Sequence, residues 1–312
     1  MTARTAATSS DIQGTPRRPA GKALWILTIL TVAAFAVKTA VTPLTSSGIE
    51  VPAVLSAVSG IAMVLLIVFV FWHGARRYGA AGILTFFVIT MIISNIFENL
   101  SISTGFPFGH YHYADQGVPF LFQVPISIGP AYFAWGYLSW VIALTILGRG
   151  DERTRTVGGT IALPIVSAFV MVMWDVVMDP LNSTVSGMWI WHDGGGYNGV
   201  PLSNYLGWFL TVWLIYQAFA LVLHVRPALV RAQEALGFWS MPVLLYGVTA
   251  LSYVLGVAFI RDATVTDATG RQWSIAMLWE TASIIGLFTM VFVTVLAGMA
   301  LLRRRQEERT SA

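Results

Sequence analysis

The 312-residue chain is 56% hydrophobic and only 11% charged, with a net charge of +3 and no cysteine. A soluble domain carries about 25% charged residues, so this composition excludes an ordinary water-soluble globule, a disordered chain and a nucleic-acid-binding domain; the surplus apolar surface must face lipid. The missing cysteines exclude disulfides, thiolate metal sites and cysteine nucleophiles.

Residues 1–22, rich in Ser, Thr, Ala and Arg, read as a disordered cytoplasmic tail. A membrane span needs about 20 apolar residues, and eight stretches meet that length: 23–43, 52–72, 79–100, 125–148, 157–178, 205–224, 236–260 and 274–302. Unbroken apolar runs of this kind are helices, because barrel strands alternate. The expected fold is therefore an all-α integral membrane protein. It is a polytopic bundle of about eight transmembrane helices over 23–302, with two folded non-cytoplasmic loops and a basic tail at 303–312.

Positive charge sets the orientation. Fifteen basic residues fall in the N-terminal tail, in every second connection and in the C-terminal tail. Only Arg261 and Arg271 lie on the other side, and Lys38 is inside the first span. Both termini are thus expected in the cytoplasm, with the protein in the inner (cytoplasmic) membrane. Arg17-Arg18 ahead of an apolar run also fits a cleaved export signal, but cleavage would leave seven spans and break this parity.

The loops at 101–124 and 179–204 are long, rich in Gly, Pro and aromatics, and free of Lys and Arg. They read as caps or re-entrant pieces tucked into the bundle mouth, where irregular backbone is tolerated.

Acids within spans are costly and mark functional sites. Glu98, Asp175, Asp179 and Glu280 all map to the outer half of the membrane, which suggests one pocket. Asp175 and Asp179, four apart, share a helix face. Two nearby carboxyls in a low dielectric do not both ionise cheaply, so one is expected to keep its proton, the state a general acid needs. Against this stand simpler roles: Asp179 capping a helix end at Asp179-Pro180, Asp175 as a buried hydrogen-bonding group, Glu98 as a wetted interfacial carboxylate, and Glu280 paired with Arg261 or Arg271. His110, His112 and His192 could bind zinc, but hydrogen bonding at the interface explains them better; His73 and His224 fit helix-end packing. Trp189, Trp191, Tyr111, Tyr113, Tyr197 and Trp208 are either an interface belt or the wall of a pocket suited to a polyene and a carbocation.

Phe97-Glu98-Asn99 leads into Thr104-Gly105-Phe106-Pro107-Phe108-Gly109-His110-Tyr111-His112-Tyr113. A second block comprises Trp174-Asp175-x-x-x-Asp179-Pro180, Trp189-x-Trp191, Tyr197-Asn198-Gly199-Val200-Pro201 and Asn204-Tyr205-Leu206-Gly207-Trp208. Together, over about residues 60–300, the chain resembles the membrane carotenoid-biosynthesis family that includes the carotenoid 1,2-hydratases and the bisanhydrobacterioruberin hydratase. That resemblance implies an acyclic carotenoid substrate, lycopene-like or a C50 polyene, hydrated at its terminal C1=C2 bond with water as co-substrate and no redox cofactor or metal.

The residues suggest their own roles. Protonated Asp175 would donate to C2, and Asp179 or Glu98 would orient water and take its proton. Trp174, Trp189, Trp191 and Tyr197 would lie along the cation, while Asn204 and Asn95 would hold the water or the carboxyls. Tyr111, Tyr113, Trp208 and Glu280 complete the expected substrate-binding set. Two other classes remain open: a Mg²⁺-dependent prenyl or lipid transferase using Asp175 and Asp179, and a transporter or proton-coupled carrier with Glu98, Asp175 and Glu280 as a relay.

Overall fold

The computed structural model describes residues 19–115, 117–148, 154–231 and 234–310. The tail at 1–18, with Arg4, Arg17 and Arg18, lies outside the described residues, as do Arg149 and Arg153. The chain is an all-α polytopic membrane protein: among the described residues, seven continuous helices are long and apolar enough to cross a bilayer.

The longest of these, Ala53–Thr104, is two spans. In an unbroken helix Phe71 and Phe87 would stand about 24 Å apart at roughly 1.5 Å per residue, yet their ring centroids are 5.3 Å apart. The chain reverses at Gly79, whose φ of 69° and ψ of 171° belong to a region open essentially only to glycine. A Cβ there would also meet the Arg231 guanidinium at 2.6 Å. The spans are therefore α1 (Lys22–Ser46), α2 (53–78), α3 (80–104), α4 (Ile128–Leu147), α5 (Val157–Val185), α6 (Leu202–Val225), α7 (Leu236–Phe259) and α8 (Ile275–Thr310). Eight spans are what the hydrophobic pattern predicts.

α4 sits at the centre, with Phe133, Tyr137, Leu138 and Trp140 fully buried, while Ile26, Val64, Ile92, Phe169 and Phe288 on other spans are exposed as lipid-facing residues must be. One end of the bundle gathers the basic connections. Arg76 reaches Pro19 O at 3.1 Å and Glu234 at 2.6 Å, tying the start of the described chain to the α2–α3 and α6–α7 turns. On α8, Arg304 lies over the Trp239 ring at 5.6 Å. His73 and His224 bond at this same end, to Phe238 O at 3.0 Å and to Thr154 O at 2.7 Å.

The opposite end carries a cap of three antiparallel two-stranded ribbons: β1 (Tyr111–Tyr113) with β4 (Trp189–Trp191), β2 (Phe120–Leu121) with β3 (Val124–Pro125), and β5 (Thr264–Thr266) with β6 (Gln272–Ser274). β1–β4 joins the two long loops to each other, in the register Tyr111–Trp191 and Tyr113–Trp189. Asp179-Pro180 does not end a helix, contrary to the capping reading. α5 runs on through a π-turn at Leu181–Val185, with Ser183 Oγ donating to Asp179 O at 2.8 Å. Wider π-turns of this kind are frequent at functional sites.

Candidate functional site

Side chains alternate across a strand, so Tyr111 and Tyr113 share one face of β1, and Trp189 and Trp191 share one face of β4. The pairing register puts these four aromatics together: Tyr111 lies 4.9 Å from Trp191 and Tyr113 lies 6.0 Å from Trp189, centroid to centroid. All four line a cavity of about 280 Å³ under the cap. His112, on the alternate face, meets His192 at 2.7 Å outside it. Among the described residues no three His, Asp or Glu side chains converge as metal ligands would.

Two carboxylates face this cavity. Glu98, near the cap end of α3 and 3% exposed, accepts from the Tyr111 and Tyr113 hydroxyls on one oxygen and from Tyr132 at 2.6 Å on the other. Burial, and then the charge of Glu98, hold the Tyr111 and Tyr113 phenols well above their ordinary range, so both remain donors. Asp179 Oδ1 accepts from Trp189 Nε1 at 2.9 Å and Trp191 Nε1 at 3.4 Å, and its Oδ2 from Asn204 Nδ2 at 2.6 Å. A carboxylate offers about four lone-pair positions, so each is close to saturated by donors. A ring of N–H groups around Asp179 is also a poor fit to Mg²⁺, which asks for oxygen ligands.

Asp175 sits one helical turn before Asp179 and is completely buried. Asn204 Nδ2 bridges the pair, 3.1 Å from Asp175 Oδ2, while Asp175 Oδ1 has no partner. Asp175 is not part of the cavity wall. Trp174 and Asn204 stand in the wall instead. Trp174 stacks on Trp135 at 5.0 Å, and Trp208 stacks on Tyr132 at 4.3 Å with an interplanar angle of 5°.

The cavity thus brings together Glu98, Asp179, Trp174, Trp189, Trp191, Asn204, Tyr111, Tyr113 and Trp208. Three expected members are elsewhere. Glu280 is exposed, because Trp279 points inward and the next residue is turned about 100° away on a helix of 3.6 residues per turn. A relay through Glu98, Asp175 and Glu280 is therefore not assembled. Asn95 is half-buried outside the wall, its carbonyl taken by the Asn99 amide at 2.8 Å. Tyr197 packs behind α5 and donates to Val176 O at 3.1 Å; burial, with Asp175 and Asp179 nearby, pushes its hydroxyl up to about 12. Sequence reasoning did not single out Tyr132, Trp135, Tyr253 or Trp279, and gave Lys38 no role, yet all five line the cavity.

The family described as carotenoid biosynthesis protein matches residues 53–271. The bisanhydrobacterioruberin hydratase of Haloarcula japonica is 31% identical over 137 residues, which cover 44% of this chain and 42% of that protein. The similarity therefore spans less than half the length of that curated relative. No solved structure matches.

Proposed function

The chain belongs to the carotenoid biosynthesis protein family, and from that premise we propose that it hydrates the terminal C1=C2 bond of an acyclic carotenoid. The observation that carries this reading is a pair of carboxylates, Asp179 and Glu98, on the walls of one aromatic cavity. The cavity, near the lower limit of the ~300–1,000 Å³ usual for ligand pockets, suits one polyene end rather than the whole molecule.

In this mechanism Asp175, Asn204 and Asp179 act as one acid unit holding a proton. Asp179, the member on the wall, gives that proton to C2. Its O–H bond breaks, a C–H bond forms at C2, and the π electrons leave a tertiary cation at C1. Trp174, Trp189 and Trp191 present ring faces to the cation. Water attacks C1, and its surplus proton passes to Glu98, within reach of Tyr111, Tyr113 and Tyr132. The net change is one water added, and the proton left on Glu98 returns through water in the cavity to the Asp175–Asp179 unit, which restores the acid. Asp175, with the fewest donors and a free oxygen, stores the proton behind the wall and returns it to Asp179. It is a positioning and relay residue here, in place of the direct donor role that its depth within the span suggested. The cap over the cavity would restrict the water that reaches the cation.

Expression in a lycopene-producing bacterium, with pigments analysed by mass, tests the reading: a gain of one water is expected. Asp179→Asn should lower that yield by about 10²-fold or more, the usual contribution of a general acid, at an unchanged protein level. Unaltered pigment mass with the wild-type protein refutes hydration, and full activity in Asp179→Asn refutes the assigned acid.

A further inference from the structure

We propose that the same cavity contains a donor-lined subsite for an uncharged oxygen on the polyene, a hydroxyl or keto group, with Lys38 as its principal donor. This inference rests on the carotenoid reading above and names the kind of carotenoid.

Lys38 lies eight residues before the end of α1, about 12 Å below it at roughly 1.5 Å per residue, well beyond the reach of a four-carbon stem. It is half-buried, lines the cavity, and has no hydrogen bond or ion pair among the described residues. A lysine inside a bilayer normally pairs with an acid or a carbonyl. Two tryptophans of the same wall share its condition. Trp135 and Trp279 are each 2% exposed, and each has a buried Nε1–H without a partner. Trp189 and Trp191, in contrast, spend their N–H groups on Asp179.

Among the described residues no hydrogen bond joins these donors to the hydroxyls of the wall; those of Thr249 and Ser252 spend their hydrogens on their own helix, at 3.1 Å to Leu245 O and 2.7 Å to Thr249 O. Glu98 and Asp179 are ringed by other donors, and the free oxygen of Asp175 lies outside the wall. Lys38, Trp135 and Trp279 therefore leave donors unspent at the wall. A hydrocarbon end would bury them unpaired, which is costly; an anionic end would be repelled by Glu98 and Asp179. An uncharged oxygen satisfies both conditions, and a site built to bond such a group discriminates strongly against an analogue that lacks it.

The test is binding, followed by quenching of tryptophan emission with the full chain in lipid nanodiscs. The probes are lycopene and the same acyclic C40 chain bearing one hydroxyl close to a terminal C1=C2 bond that it keeps. Wild-type protein should bind the hydroxylated polyene about 10-fold more tightly or better. Lys38→Met should bring the two affinities together while leaving lycopene binding intact, which also reports that the variant is folded. Lys38→Gln, which keeps a donor, should retain part of the preference. Equal affinities in the wild type, or a Lys38→Met variant that weakens both probes alike, overturn the oxygen subsite and leave the carotenoid reading standing. If neither polyene binds, that reading fails and the subsite with it.

Discussion

Glu98 gives the clearest view of how this site works at the level of single residues. Its carboxylate is held by three hydroxyl donors from two elements, Tyr111 and Tyr113 of β1 and Tyr132 of α4. A hydrogen bond to a charged group contributes about 1.5–3 kcal/mol. Tyr132→Phe is therefore expected to reduce hydration about 10- to 100-fold, with polyene binding retained. Glu98→Gln should lose more, because its amide N–H₂ would face hydroxyls that now donate. Product mass in pigmented cells, normalised to protein level, checks both; a Tyr132→Phe enzyme with full yield would remove Glu98's surroundings from the mechanism. The acids were legible in the sequence because a carboxyl within a span is too costly to be incidental. Tyr132 and Trp135 were not, since an aromatic inside an apolar run looks the same whether it faces a pocket or a neighbouring helix. The four-residue spacing of Asp175 and Asp179 gave their common helix face, but not that Trp174 and Asn204 would stand between Asp175 and the cavity.

At the level of elements, the α2–α3 hairpin and the β1–β4 ribbon differ in how much the chain itself announces. The hairpin is local: two apolar runs flank a short turn with Arg76 and Arg77, and Gly79 alone supplies the backbone the reversal needs. The ribbon is non-local. Tyr111 and Trp191 are brought together only by the packing of the four helices between and around them, so period-two spacing in each loop showed which side chains share a face but not which strand they pair with. The α5 extension was missed for a related reason. Pro180 reads as a stop, yet the π-turn that follows does not need the N–H that proline lacks. Gly79→Ala combines a glycine-only conformation, worth about 1–3 kcal/mol, with a contact at 2.6 Å from Arg231. It should lower the unfolding midpoint in detergent by several degrees. Gly60→Ala, on the same run and with nothing within 4 Å, should leave the midpoint unchanged or slightly higher. Equal midpoints for the two variants would show that the reversal does not depend on Gly79.

For the whole molecule, the separation of charge between the two ends decides where the chemistry takes place. Lipid imposes long apolar helices whatever else a sequence encodes, which is why the eight spans could be read from hydropathy alone, whereas the order in which they pack could not. The structure gathers Arg76, Glu234 and Arg304 at one end and the three ribbons at the other, and the cavity lies beneath the ribbons. The positive-inside rule predicts that the ribbon end faces away from the cytoplasm, and on that orientation the carotenoid end would react in the outer half of the bilayer. The cysteine-free chain makes this directly measurable. Ala268→Cys lies exposed between β5 and β6, and Gln306→Cys lies exposed near the end of α8. In intact cells a membrane-impermeant maleimide should label the first and spare the second until the membrane is opened. The reverse pattern would place Glu98 and Asp179 in the cytoplasmic half, where the cap would face the compartment in which soluble enzymes could deliver or remove the polyene end.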